Sequence, residues 1–368
     1  MIGSAMAMDL ARTGWSVCVA DVREAHLERL RRDHNVDTVQ ADLSDPAEVT
    51  RVARRGELVL GALPSAIGLQ TLAAVIAAGR NYVDISFMPE DGRRLDADAR
   101  AQDVTAVIDC GVAPGVSNLI AGHAAQVLAP CERIQICVGG LPAERRWPFE
   151  YKAGFAPHDV IEEYVRPARQ VEHGQVVVYE ALSEPEPVDF PGVGTLEAFH
   201  TDGLRSLTDS LDVPFMQEKT LRYPGHAGLM RALRASGFFS REPLEVDGRP
   251  VRPLDVTAAL LFPRWTFAEG EADLTVMRVV AEGRCDGERQ RRTWDLLDRY
   301  DPESGLRSMS RTTAFPATIM AGLLADGAFR RPGVHAPETV GAVPGLLERI
   351  LDALQQRGVH WRASVAKC

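Results

Sequence analysis

Met1-Ile2-Gly3-Ser4-Ala5-Met6-Ala7-Met8-Asp9-Leu10-Ala11-Arg12-Thr13-Gly14, followed by Trp15-Ser16-Val17-Cys18-Val19-Ala20-Asp21, is the stretch on which the fold turns. Gly3 opens a helical run that Gly14 closes, and the β-run Trp15 to Ala20 ends on an acid, Asp21. A dinucleotide-binding βαβ unit needs glycine for close helix–strand packing at the head of its first helix. It needs an acid about 20 residues later, at the end of the next strand, to take the ribose hydroxyls. Gly3 and Asp21 stand 18 apart in those contexts. Ile2, Gly3 and Ser4 would then offer the helix N-terminus to a pyrophosphate. The first strand and first two glycines of such a fingerprint would fall ahead of Met1, so the stretch reads as its rear half.

Beyond it, strand and helix signals alternate through the first 115 residues. Strands are expected at Trp15–Asp21, Val36–Ala41, Glu57–Leu63, Tyr82–Ile85 and Val104–Asp109, and helices at Glu24–His34, Asp45–Arg55, Gly68–Ala78 and Glu90–Gln102. Ser44-Asp45-Pro46 marks one helix start. This alternation predicts an α/β, doubly wound parallel sheet of the Rossmann type, with its first strand missing from the chain as written.

Ligands of such sheets bind beyond the carboxyl ends of the strands. Those ends carry Asp21-Val22-Arg23, Asp42-Leu43, Ala62-Leu63-Pro64, Asp84-Ile85-Ser86 and Cys110-Gly111-Val112-Ala113-Pro114-Gly115. Asp21 would accept both adenosine-ribose hydroxyls and repel a 2′-phosphate, which favours NAD over NADP, although Arg23 offers a phosphate partner. Asp42 and Leu43 would flank the adenine, and Ala62, Leu63 and Pro64 would pass the nicotinamide side. Ser86, Cys110, Gly111 and Pro114 complete the expected cofactor edge. The bland reading of Asp21 is a turn cap, and that of Cys110 is pocket lining.

At 368 residues the chain is long enough for two domains, and 45% hydrophobic with 25% charged residues is ordinary for a globular protein. A net charge of −10 argues against nucleic acid and anionic membranes as partners. No apolar run reaches a membrane span and no signal peptide is evident. Six cysteines (Cys18, Cys110, Cys131, Cys137, Cys285, Cys368) form no CxxC pair and no metal-ligand spacing. Cys18 and Cys137 are expected as core residues, no metal is expected, and a reducing cytoplasm fits best.

With Tyr82-Val83-Asp84-Ile85-Ser86 and Cys110 to Leu119 in view, the sequence resembles the saccharopine dehydrogenase-like oxidoreductases, most closely their lysine 6-dehydrogenase branch. Further matching stretches are Tyr151-Lys152-Ala153-Gly154-Phe155-Ala156-Pro157, Thr201 to Leu207, Leu221-Arg222-Tyr223-Pro224-Gly225-His226 and Ser310-Arg311-Thr312-Thr313-Ala314-Phe315-Pro316. They run in order along nearly the whole chain. Saccharopine-forming members often carry an acid where Ala113 stands, and its absence leans away from them. The resemblance implies a strand and a Gly-x-Gly turn ahead of Met1. Without them, weak NAD binding and poor stability are expected.

From Glu132 the texture changes to longer alternating strands: Arg133–Val138, Gln170–Leu182, Thr195–His200, Glu218–Tyr223, Leu274–Ala281 and Arg291–Leu297. An inserted α+β substrate and dimerisation domain is expected over residues 117–310, centred on an open antiparallel sheet. Helices Thr313–Ala325 and Val343–Gln356, within 311–368, would return to the cofactor domain of 1–116. Glu184-Pro185-Glu186-Pro187 and Arg330-Arg331-Pro332-Gly333 read as local turns.

Oxidising an amine with NAD requires a neutral nitrogen, a C–H aimed at the nicotinamide and a water to hydrolyse the imine. An α-amino acid also needs a cation for its carboxylate and an acceptor for its ammonium. Arg205, Lys152 and Arg222 are candidates for the first role, and Asp84, Asp202 and His226 for acceptor or base. Asp202 would cap a helix and place Arg205 on its first turn. The resemblance adds Tyr151, Thr201 and Thr313 to the substrate contacts and implies Asp84, Lys152 and His226 as catalytic residues. The leading expectation is NAD-dependent deamination at the ε-carbon of L-lysine, with ammonia released. The alternative is a secondary amine, saccharopine or a carboxyalkyl polyamine, and a third option is a non-catalytic nucleotide-binding protein. A small amino-acid substrate and a homodimer through the second-domain sheet are the partners expected.

Overall fold

A computed structural model describes residues 1–34, 36–154 and 157–367, Pro157 by its backbone alone. Phe155 and Ala156 of the Tyr151 motif, and Cys368, lie outside the described residues. The chain divides into two compact units, Met1–His123 with Ser310–Val359, and Ala124–Met309 with His360–Cys368.

The first unit opens with α1 (Ile2–Arg12), β1 (Cys18–Asp21), α2 (Glu24–His34), β2 (Asp37–Gln40), α3 (Pro46–Ala53), β3 (Leu58–Gly61), α4 (Gly68–Ala77), β4 (Asn81–Asp84), α5 (Asp96–Ala101), β5 (Thr105–Val107) and α6 (Val116–Val127). Local chemistry sets several boundaries. Asp45 accepts the Ala47 N–H at 2.9 Å with Pro46 in the first turn of α3, the capping pattern read from the sequence. Asp91 starts a 3₁₀ turn, Gly92–Leu95, so α5 is shorter than the helix expected at Glu90–Gln102.

The second unit holds β6 (Cys131–Pro142), α7 (Pro157–Val165), β7 (Ala168–Glu172), β8 (Gln175–Tyr179), β9 (Glu186–Phe190), β10 (Gly194–His200), α8 (Leu207–Ser210), β11 (Met216–Arg222) and α9 (His226–Ala235). It continues with β12 (Leu244–Val246), β13 (Arg249–Val251), α10 (Pro253–Trp265), β14 (Asp273–Cys285) and β15 (Glu288–Arg299). α11 (Ser308–Ala325), β16 (Gly333–His335), α12 (Pro337–Gly341), α13 (Leu346–Gln356) and β17 (Trp361–Lys367) follow.

The first unit's strands are all parallel, as expected, but fall into two hydrogen-bonded groups: β1 with β2, and β16-β5-β4-β3 in that order. No described strand bridges β1 and β3. Cys18, at the start of β1, is consequently exposed rather than a core residue. Tyr82, Leu72, Val75 and Ala106 centre the core between α4 and the β3–β5 strands. Asp9 on α1 takes the Arg357 Nε–H at 2.9 Å and the Thr318 hydroxyl, pinning α1 to α11 and to the end of α13.

The second unit is built on a mixed sheet, ordered β17-β15-β14-β6-β11-β10-β9, with β7 pairing both β11 and β8. β11 runs parallel to β6, which corrects the antiparallel expectation; the long chain between Pro142 and Met216 supplies the crossover that a parallel pair requires. The strand expected at Gln170–Leu182 is a hairpin, broken where His173 and Gly174 take φ of 51° and 75°. Two successive left-handed residues make the tight turn that suits twisted strands. Glu184 to Pro187 is not simply a turn, because β9 starts at Glu186. Pro187 sits on that edge strand, where a missing N–H is tolerated. The C-terminal segment also departs from expectation: β17 pairs with β15 in the second unit rather than joining the first. α11 begins at Ser308, five residues before the expected start, because Asp273 accepts the N–H groups of Ser308 and Met309 at 2.7 and 2.9 Å.

Candidate functional site

In the first unit the predicted cofactor residues gather at the carboxyl ends of β1, β2 and β3. α1 begins with Ile2-Gly3-Ser4, with no acid in its first turn and no side-chain cap, so its N–H groups are not taken by a capping side chain. A β-carbon on Gly3 would stand 3.4 Å from Ala62 Cβ, which puts the head of α1 beside the end of β3. Asp21 is one-third exposed; its Oδ1 accepts the Arg23 N–H at 2.8 Å, and the Arg23 guanidinium folds back to 3.6 Å from the same oxygen. Val22, Ala62 and Pro64 are exposed and Leu43 and Leu63 half-buried. Asp42 is engaged locally by the N–H and hydroxyl of Ser44, which hold its carboxyl below the usual range. These residues fit a dinucleotide: a helix start open to phosphate, and a carboxylate at the strand end for the ribose.

The remaining predicted residues of this unit are enclosed, except Pro114, which is half-buried. Asp84 is fully buried and accepts hydrogen bonds from Tyr82 Oη at 2.9 Å and from the Ser86 hydroxyl. Burial pushes its carboxyl up to about 7, against the lowering effect of those two donors. Cys110 is also buried, its thiol raised by burial and by Asp84 and Asp109, so it lines the interior and is no nucleophile. Gly115, at φ 141°, lies so close to Gly111 that a β-carbon would fall 1.9 Å from its carbonyl oxygen, so Pro114-Gly115 requires glycine there. Thr313 on α11 packs against Gly111, whose β-carbon would stand 3.2 Å from Thr313 Cγ2.

In the second unit, Tyr151, Lys152, Arg222 and His226 do come together, chiefly as a wall. His226 is buried, with Nδ1–H donating to the Phe149 carbonyl at 3.1 Å and Nε2 accepting from Tyr164 Oη at 2.8 Å. Burial, reinforced by Arg222, lowers its pKa to about 3, so the ring is neutral. Arg222 is buried too, paired with Glu163 at 2.8 Å and lying 4.7 Å from the Tyr151 ring centre. Its Nε has no hydrogen-bond partner among the described residues. Trp265 closes the cluster edge-on to Phe149, Tyr151 and Tyr164.

Tyr151 and Phe149 present this wall to a cavity of about 340 Å³, also lined by Glu144, Arg146, Trp147, Lys152 and Arg264. Lys152 donates to Glu271 and to the Thr266 carbonyl.

Thr201, Asp202 and Arg205 lie elsewhere in the unit. Asp202 caps no helix. It takes the Arg169 guanidinium at 2.9 Å, and Arg205 sits ahead of α8 in a turn with φ 54°, not on a first helical turn. Thr201 donates to Glu218 Oε2 at 2.7 Å, and the Gly203 N–H reaches the same oxygen at 3.1 Å. Burial raises Glu218 to about 8, so at neutral pH it carries a proton. Glu218, Glu163, Trp147, Arg264 and Glu271 were not singled out from sequence. Only Trp147-Pro148, an aromatic in a polar loop, carried a signal there.

Fold and site together define a dinucleotide-dependent oxidoreductase with a separate mixed-sheet unit. Residues 1–107 match the saccharopine dehydrogenase NADP binding domain, and residues 111–359 the saccharopine dehydrogenase C-terminal domain. The chain belongs to the saccharopine dehydrogenase family. It is 25% identical over 329 residues to a carboxynorspermidine synthase from Vibrio cholerae, covering 83% of this chain and 77% of that protein. It is 23% identical over 320 residues to a carboxyaminopropylagmatine dehydrogenase from Synechocystis, covering 81% and 77%. The structure of the L-Glu-forming saccharopine dehydrogenase from Saccharomyces cerevisiae superposes with a TM-score of 0.80, covering 98% of each chain at 17% identity, a likeness of fold. These relatives do not bear out the lysine-specific branch; their names fit the alternative of a carboxyalkyl polyamine.

Proposed function

We propose that the chain interconverts a carboxylated polyamine-type secondary amine with its imine, using a nicotinamide dinucleotide. In the oxidative direction the carbon beside nitrogen loses hydride, the nitrogen loses a proton, and water splits the imine into a carbonyl compound and a primary amine. The bound cofactor accepts or returns the hydride; everything else falls to the chain. The observation that carries this reading is the length of the match, since relatives named for carboxylated amines align through both units. The structure adds a physical argument against the expected lysine pocket. Arg222 and Lys152, two of its carboxylate partners, are committed to Glu163 and Glu271, and Arg205 is buried in a turn.

In this proposal Lys152, an ammonium held by Glu271, donates a proton in the reductive direction and takes one in the oxidative direction only after releasing its own to solvent. Asp84 holds the β4 strand end, and His226 with Arg222 positions the Tyr151 wall. NAD is the preferred cofactor in this reading: Asp21, at the end of β1, would take the ribose hydroxyls, and the Arg23 guanidinium folds back to 3.6 Å from its carboxylate. A homodimer is proposed through the second-unit sheet, supported by the exposed outer strand β17; light scattering tests it. The reaction is tested by product analysis. A secondary amine yields a primary amine and a carbonyl compound, whereas ammonia released from lysine at a comparable rate would return the assignment to lysine.

A further inference from the structure

The cavity beside Tyr151 carries an uneven set of charges. Its lining includes three cations, Arg146, Lys152 and Arg264, and one acid, Glu144. Two of the cations are satisfied: Arg146 pairs with Glu144 at 2.7 Å, and Lys152 with Glu271. Arg264, exposed in the last turn of α10, makes one hydrogen bond among the described residues, its Nη1 to the Leu260 carbonyl at 2.8 Å. A cation at a helix C-terminus is favourable by itself, but that contact occupies one of five guanidinium donors. The other donors face no acidic side chain among the described residues.

Trp147, in the same lining, is 88% exposed. An indole so open offers a flat apolar face to a ligand's methylene chain or to an ammonium group. Behind both, the floor is packed against buried side chains. Tyr151 lies against Arg222, and the Phe149 carbonyl is held by His226. At about 340 Å³ the volume suits a small molecule.

We infer that this cavity binds the carboxylate-bearing arm of the amine substrate, with the carboxylate on Arg264 and the adjoining chain along Trp147. The assignment rests on the proposed function and names the subsite that separates carboxylated amines from plain polyamines. An arginine fork matches a carboxylate in two parallel hydrogen bonds. A plain polyamine offers it nothing and meets net positive charge.

The test is calorimetric, on the full chain, with carboxynorspermidine and with the same triamine lacking the carboxyl group. The wild type is expected to bind the carboxylated compound at least tenfold more tightly. Arg264→Ala should abolish that preference by weakening the carboxylated compound, with the plain triamine binding no more weakly than to the wild type, while Arg264→Lys restores part of it. Trp147→Ala should weaken both compounds. A preference that survives Arg264→Ala, no preference in the wild type, or no binding of either compound overturns the inference. Arg264-dependent preference without reduction of NAD or NADP would leave the subsite standing and sink the substrate reading. Turnover with a preference indifferent to Arg264 would do the reverse.

Discussion

Replacing Asp84 by asparagine should flatten part of the chain's pH dependence of stability. Asp84 is fully buried at the end of β4, and its carboxyl is raised to about 7 from an ordinary value near 4. A carboxyl raised in the folded state holds its proton more tightly there than in the unfolded chain. Between about pH 4 and 7 the folded state therefore carries the extra proton, and stability declines as pH rises, by about 1.4 kcal/mol per unit. The contribution is fully present below the unfolded value and is lost as pH climbs through about 7. Integrated from pH 5 to pH 8, the loss is about 2–3 kcal/mol. The substituted amide would still accept from Tyr82 and meet the Ser86 hydroxyl, with no proton to lose. Urea unfolding of wild type and Asp84→Asn at pH 5 and pH 8 measures this directly. Relative to wild type, the variant should gain about 2–3 kcal/mol between those pH values. Equal losses in the two proteins would refute the raised carboxyl and return Asp84 to a solvated, freely titrating carboxylate.

Further tests concern the cofactor edge and the wall of the second unit. With Asp21 taking both ribose hydroxyls as proposed, Asp21→Ala should weaken NAD about tenfold and shift discrimination toward NADP; calorimetry showing unchanged discrimination would remove Asp21 from the site. Arg222→Ala leaves the half-buried Glu163 without its partner and opens the space beneath Tyr151, which together cost about 3 kcal/mol. Its melting temperature should fall by about 10 °C, whereas a raised KM with unchanged melting would mean that Arg222 serves substrate alone. His226, held neutral with a pKa of about 3, should show no ring titration by NMR between pH 5 and 8. Because the unfolded ring takes a proton that the folded ring refuses, its contribution to stability declines as pH falls below about 6.5.

The first unit was legible because its signals are local. Asp45-Pro46 at a helix start and the runs at β3, β4 and β5 need no long-range information. The exposure of Cys18 was not legible, since it depends on which strand lies beside β1. In the second unit the hairpin turns fall on His173-Gly174, Asp247-Gly248 and Asp286-Gly287, polar–glycine pairs with successive positive φ values, and none was read as a turn from the sequence. Val171 before His173-Gly174 and the run Val176-Val177-Val178 after it read as one strand and hid that turn. The parallel pairing of β6 with β11 joins residues about eighty positions apart and has no local signature.

The site divides in the same way. Tyr151, Lys152, Arg222 and His226 were found, but their roles depend on burial and on partners from α7 and from the loop after α10, so cations that looked available proved to be paired. Arg264 and Glu218 gave no sign, because an exposed arginine late in a helix and a glutamate in a strand are both ordinary until their surroundings are known.

Whether the substrate is a carboxylated secondary amine is decided most directly by kcat/KM for NAD reduction with carboxynorspermidine, saccharopine and L-lysine on one preparation. The highest value is expected for carboxynorspermidine, at least tenfold above lysine. A higher value for lysine would contradict the proposed reaction.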